Sequence, residues 1–260
     1  MTLTDEGHYG PKQLNLLKNV WGEGFLSPGG SEEIDEIVKN VDVKNLNVLD
    51  IGCGCGGAAL HLIEHHNAAF VTGIDVEPLV IQRAKELADE KGLGDKTKFL
   101  LVSPGPIGLE DESLDMVFSK ETFLHISDKQ KLLENIFRIL KPNGIIAAGD
   151  WMRIDENPPS PQMRAYIEAE GLDMFMCSLN KYENLLNDTG FTKIKIRDRN
   201  EWYLERAKKE ILEIRGPLYE KVVDAIGTEE AEGAIQIWEK LIGVLEIGEH
   251  RPGHFTATKD

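Results

Sequence analysis

The chain of 260 residues sets 29 Lys and Arg against 45 Asp and Glu, a formal net charge of -16. That balance repels phosphate backbones and offers no counterion-releasing surface, which excludes nucleic acid as an expected partner. No stretch approaches the ~20 apolar residues that span a bilayer, and Met1 to Gly10 (MTLTDEGHYG) lacks a basic start and an apolar core, so a soluble, cytoplasmic protein with no membrane partner is expected.

A single unit over 1–260 is expected, because one core can serve about 250 residues. Within it, 1–30 reads as an N-terminal lid, 31–152 as a cofactor-binding core, 153–180 as a substrate cap and 181–260 as C-terminal helices and strands. Short β-branched runs predict strands at Asn47 to Ile51, Ala69 to Asp75, Lys98 to Ser103, Leu114 to Ser119 and Ile145 to Trp151. Between them, apolar residues at three and four spacing predict helices over Ala58 to His66, Val80 to Lys91 and Lys129 to Leu140, with Lys91-Gly92 and Lys141-Pro142-Asn143-Gly144 as stops. Alternating strands and helices define an α/β protein with a largely parallel sheet. After Trp151 the alternation breaks in the proline-rich Arg153 to Pro161, and a short helix follows over Gln162 to Leu172. A helix over Tyr182 to Gly190, a strand over Thr192 to Arg197, a long helical stretch over Glu201 to Leu245 and a last strand over His254 to Thr258 complete the chain.

The chemistry concentrates at Asn47 to Gly57 (NVLDIGCGCGG). An apolar strand there runs into Gly52, Gly54 and Gly56, where missing Cβ atoms let the backbone turn sharply and approach a ligand. Asp75 ends the next strand, nineteen residues after Gly56, where a carboxylate can accept hydrogen bonds from two ribose hydroxyls. A nicotinamide-dependent oxidoreductase would use a similar turn, but its G-x-G-x-x-G spacing differs from Gly52-x-Gly54-x-Gly56-Gly57 after Asp50. A non-catalytic cofactor-binding module is a third possibility. Cys53, Cys55 and Cys177 suit neither a disulfide framework nor a zinc knuckle. His61 and His65 have an i, i+4 spacing but no intervening glutamate beside His61, and no metal is expected of them or of His250 and His254.

With its aspartate two residues before the first glycine, this segment resembles motif I of class I S-adenosylmethionine-dependent methyltransferases, and RILKPNGIIAAGD resembles the turn and strand typical of that family. Tyr9 to Gly30 (YGPKQLNLLKNVWGEGFLSPGG), FSKETFLHI at 118–126 and the ending GHFTATK are similar to phosphoethanolamine N-methyltransferases and to sarcosine or dimethylglycine methyltransferases. The resemblance implies a Rossmann-like seven-stranded sheet with an N-terminal helical lid, a cap insertion after the fifth strand, and S-adenosylmethionine leaving as S-adenosylhomocysteine. It implies cofactor contacts at Leu26, Ser27, Asp50, Gly52, Cys53, Gly54, Asp75, Val76, Ser103 and Pro104. Ser103 stands where many members have an acid for the adenine amino group, leaving a backbone carbonyl or Glu121 to substitute.

The resemblance implies that Tyr9 and His125 match the pair that lies over the transferred methyl group in the phosphobase family: His125 can take the acceptor's proton while Tyr9 can hydrogen-bond it and shut the site. Positions that grip phosphate in the phosphobase enzymes align with the apolar Leu17, Leu172, Met174 and Leu241, which would leave a phosphate dianion unpaired. The expected acceptor is therefore a small, non-phosphorylated amine of the sarcosine or dimethylglycine kind, with a small thiol as the alternative. Trp21, Trp151, Met152, Met174 and Met176, with Phe175 and Cys177, are candidates for an apolar cap, and Arg153 or Arg164 for a substrate carboxylate.

Overall fold

The structure, a computed structural model, describes residues 9–260, so the first eight residues of the expected lid lie outside the described residues. Seven strands form one sheet: β1 (Asn47–Ile51), β2 (Phe70–Asp75), β3 (Thr97–Leu101), β4 (Leu114–Lys120), β5 (Leu140–Asp150), β6 (Thr192–Asp198) and β7 (Gly253–Thr258). Their order is β3-β2-β1-β4-β5-β7-β6. The pairings among β1 to β5 are parallel, and β7 runs antiparallel between β5 and β6. Because the order reverses between β1 and β4, the crevice at their carboxyl ends is where an open α/β sheet takes its ligand.

Alternate residues of the central strands feed two cores. Val48, Met116, Phe118 and Ala147 pack under α2 (Gly30–Val38), α3 (Gly57–His66) and α4 (Pro78–Glu90). Leu49, Val117, Ile146 and Ala148 pack under α5 (Lys129–Ile139) and α7 (Leu179–Thr189). This two-sided burial is why β1 and β4 read as apolar runs rather than alternating ones. A third body of helices, α1 (Pro11–Trp21), α6 (Pro161–Glu170), α8 (Asn200–Arg215), α9 (Tyr219–Ile226) and α10 (Thr228–Glu246), has its own apolar centres. One of them includes Leu124 and borders Trp151, so it closes over the ends of β4 and β5.

Several boundaries differ from the sequence expectation for local reasons. β3 stops at Leu101, short of the Ser103-Pro104 break. β5 begins at Leu140, because the Lys-Pro-Asn-Gly turn is drawn into the sheet: Asn143 N donates to Lys259 O (2.6 Å), and the register slips between Leu114 and Met116. The helix expected from Tyr182 starts at Leu179, where Ser178 Oγ accepts from Lys181 N (3.1 Å) as an N-cap. The long helical stretch divides into three helices at Gly216-Pro217 and at Gly227, whose φ of 99° ends α9. Among the described residues no helix is long and apolar enough to cross a membrane.

Asp150, at the end of β5, ties this framework to the site. It is buried, accepting from Leu124 N (3.0 Å) and from the Tyr182 hydroxyl (2.5 Å), and burial pushes its carboxyl up to about 7. A carboxyl raised by folding adds stability at low pH and loses it as pH rises through about 7, where ionisation demands donors. Tyr182→Phe removes one of those donors. Urea unfolding should show a loss of about 1–3 kcal/mol, larger at pH 8 than at pH 6.

Candidate active site

From β1 the chain enters the glycine turn and folds back on the end of β2: Gly52 N and Cys53 N both donate to Ile74 O (2.8 and 3.1 Å). Gly52 has φ 71°, and a Cβ there would stand 2.0 Å from Thr122 Oγ1. Gly54 has φ 50°, and its Cβ would stand 2.8 Å from the Leu26 side chain. Both positions therefore need glycine, and they leave a cradle bounded by Leu26 and the end of β4. Cys53 packs against Gly73, and the burial of Cys53 and Cys55 raises both thiols, so neither is a thiolate at neutral pH.

Two carboxyls define the cradle. Asp75 Oδ2 accepts from Gly54 N (2.9 Å) and Oδ1 from Glu77 N (3.0 Å), which locks the turn to β2 while each oxygen keeps acceptor capacity. Beneath the turn Asp50 is buried with Oδ2 lacking a hydrogen-bond partner, and burial next to Asp75 pushes it up to about 8. Val76 continues from Asp75, and Ser103 and Pro104 lie exposed beyond β3. Ser27 accepts from Lys120 Nζ, which stands 3.6 Å from Glu121. Glu121, left-handed at φ 54°, receives the Tyr203 hydroxyl on Oε1 and has Oε2 unpartnered. It is therefore engaged at the Ser27 and Tyr203 side of the site.

His125 lies in the turn after β4. Its Nδ1 is 2.9 Å from Asp173 O, and because a carbonyl only accepts, Nδ1 carries the proton and Nε2 presents a lone pair. Burial lowers its pKa below the ordinary histidine value, keeping it neutral near pH 7. The turn is stapled to the cap: Phe175 N donates to Leu124 O (2.6 Å), and buried Lys129 Nζ donates to Ile126 O (2.9 Å) and Phe175 O (2.5 Å). Tyr9 is half-buried, and burial with the charges of Asp75, Glu77 and Glu170 raises its hydroxyl well above the usual phenol value. It stays a donor. Asp75 acts electrostatically on both Tyr9 and His125.

Of the expected cap residues, Trp151, Met174 and Met176 surround one apolar centre with Leu124, Met163, Tyr166 and Leu241. Others lie elsewhere. Trp21 donates from Nε1 to Glu210 (2.9 Å) and stacks near Trp238 (5.7 Å between rings), anchoring α1 to α8 and α10. Met152 is enclosed in the core under α5 and α7. Arg153 is committed to Glu249 (3.2 Å) and the Asn157 carbonyl (2.8 Å), and Arg164 donates to the Pro159 carbonyl. His254 is held by Glu33 (2.5 Å), whereas His250 stands against Trp151 and Tyr166, its burial pushing it down to about 3. His61 pairs with His66 rather than His65, both on Asp35 Oδ1 at 2.7 Å, the one such donor group among the described residues.

Sequence reasoning missed Tyr166, Glu170 and Tyr203. Tyr166 and Glu170 stand four apart on α6, on the face that also carries Met163, so one turn brings phenol and carboxyl together. The only sequence signal is that spacing.

The site suits S-adenosylmethionine. The glycine cradle, the acceptor oxygens of Asp75 and the unpartnered Asp50 oxygen fit a ligand with ribose hydroxyls and cationic groups. Residues 42–190 match the family described as Methyltransferase domain, more than half the chain, and the chain belongs to that family. Its sheet is that of class I S-adenosylmethionine-dependent methyltransferases. The phosphoethanolamine N-methyltransferase of Triticum aestivum is 31% identical over 258 residues, 98% of this chain and 49% of that protein. The chain thus spans about half the length of such curated relatives. Two solved structures share the fold. Haemonchus contortus phosphoethanolamine N-methyltransferase 2, in complex with phosphomonomethylethanolamine and S-adenosylhomocysteine, superposes with TM-score 0.89 at 22% identity over 98% of this chain and 59% of that one. A sarcosine dimethylglycine methyltransferase-like protein of Galdieria sulphuraria gives 0.81 at 22% identity over 96% and 97%.

The unpartnered Asp50 makes a measurable prediction. Because a cationic ligand favours the ionised form, binding S-adenosylmethionine near pH 7 should release a proton from a carboxyl otherwise held up to about 8. Calorimetry in buffers of different ionisation enthalpy should detect that release, and Asp50→Asn should diminish it.

Proposed function

We propose that the chain transfers the methyl group of S-adenosylmethionine to the nitrogen of a small, non-phosphorylated amine. When bound, the cofactor supplies a methyl carbon on a sulfonium, which an incoming lone pair displaces in line. The observation that carries the reading is His125, neutral through burial and fixed by Asp173 O so that Nε2 is free to take a proton. An ammonium has no lone pair, so that proton must leave before nitrogen can attack; His125 receives it, and protonated Tyr9 hydrogen-bonds the acceptor. The described part of the lid, Tyr9 to Gly30, and the cap of 153–180 enclose the reaction, with Phe175 and Leu124 joining cap to site.

The names of relatives such as the wheat enzyme favour phosphoethanolamine as a second reading. Against it stand the occupied cations: Lys120 serves Ser27 and Glu121, and Arg199 serves Glu33 (2.6 Å). A glycine derivative such as sarcosine or dimethylglycine avoids the phosphate but needs a partner for its carboxylate, and Arg153 is engaged with Glu249. A small thiol would deprotonate with less help, which separates sulfur from nitrogen by experiment.

For an amine acceptor, His125→Ala should lower kcat by about 100- to 10,000-fold and remove the acid limb of the pH-rate profile, a limb that lies below the ordinary histidine pKa because burial depresses it. Tyr9→Phe should lower kcat/KM in the same steady-state assay while leaving that limb in place. Near-normal turnover by His125→Ala would favour sulfur.

A further inference from the structure

We propose that Glu170 and Tyr166 form the binding subsite for the acceptor, and that the acceptor is a small cationic amine carrying no phosphate or carboxylate. The inference rests on the methyltransfer reading above and narrows its substrate.

Three observations carry it. Tyr166 is fully buried, and its hydroxyl, beside the Glu170 carboxyl, makes no complete hydrogen bond; Trp151 Nε1 on the same wall is likewise unpartnered. Buried polar atoms without partners are rare, and several on one wall indicate a ligand that supplies them. Second, Glu170 stands one helical turn from Tyr166 on the face of α6 that packs, through Met163 and Tyr166, against Leu124 beside His125, and its charge reaches both Tyr9 and Glu121. Third, among the described residues no Lys or Arg pairs with Glu170. An anionic substrate group there would meet the carboxyls of Glu170 and Glu121, whereas an ammonium would satisfy them. The overall charge of -16 favours the approach of cations over anions.

The subsite also has a defined pH response. Burial, with the charge of Glu121 at the end of β4, pushes the Glu170 carboxyl up to about 7, against the downward pull of the Tyr166 hydroxyl on its own helix; Tyr9 faces it from the N-terminal segment. Only its ionised form attracts an ammonium, so amine affinity rises as pH rises through that value.

The test uses the full chain loaded with S-adenosylhomocysteine and the probes ethanolamine, 1,4-diaminobutane, phosphoethanolamine and sarcosine. Calorimetric binding and labelled methyl transfer are both read. The expected result is binding of ethanolamine or the diamine in preference to the two anionic amines. Glu170→Gln should weaken that binding about 10- to 100-fold without changing S-adenosylhomocysteine affinity. Glu170→Arg should shift preference toward phosphoethanolamine. Preference of the wild type for phosphoethanolamine or sarcosine, or unchanged amine affinity in Glu170→Gln, overturns the proposal. If amines bind as expected but none is methylated, the subsite stands and the methyltransfer reading fails; if no probe binds or is methylated, both fail.

Discussion

The pair of hydrogen bonds that Asp75 accepts from Gly54 N and Glu77 N is the constraint on which the site depends. It joins the two loops that leave β1 and β2 at the edge of the sheet's topological switch, and the donations from Gly52 and Cys53 to Ile74 O close the same turn from the other side. A carboxylate in this place has two tasks, holding the backbone that makes the cradle and keeping lone pairs for a ligand. Burial raises its pKa, so the backbone donors offset part of the cost of keeping it ionised.

A second set of contacts holds the chemistry against that cradle. Asp150 receives Leu124 N, Lys129 spans Ile126 O and Phe175 O, and Asp173 O orients the His125 ring. These groups touch the turn that carries His125, so their charges are used to fix a backbone and a tautomer. Lys129 and Asp150 are both buried, and each would be costly to bury without the partners it has. The result is a histidine whose proton-accepting nitrogen is set by its surroundings before any substrate arrives.

Much of this was legible in the sequence, because backbone demands leave local marks. Gly52, Gly54 and Asp75 stand where a strand must turn and a carboxyl must end the next strand, and the strands of the parallel core fall within a few residues of expectation apart from β5, which begins five residues early. What was not legible is whatever depends on a partner distant in the chain. Trp21 reads as a cap aromatic until Glu210, on α8, accepts a hydrogen bond from its Nε1. Arg153 reads as a substrate ligand until Glu249 takes its charge. The His61 and His65 spacing conceals that His66 turns with His61 onto Asp35 of another helix. Glu170 looks like one more surface acid, since only its spacing from Tyr166 marks the inward face of α6.

The claim that everything else rests on is that the cradle of Asp75 and the glycine turn holds an S-adenosyl ligand. Calorimetric titration of the wild type and of Asp75→Ala with S-adenosylhomocysteine and with NAD tests it most directly. One molecule of S-adenosylhomocysteine should bind per chain, NAD should not bind, and Asp75→Ala should weaken the former by about 100-fold, the scale of losing two charge-assisted hydrogen bonds. Binding of NAD in its place, or S-adenosylhomocysteine affinity untouched by Asp75→Ala, would contradict the account.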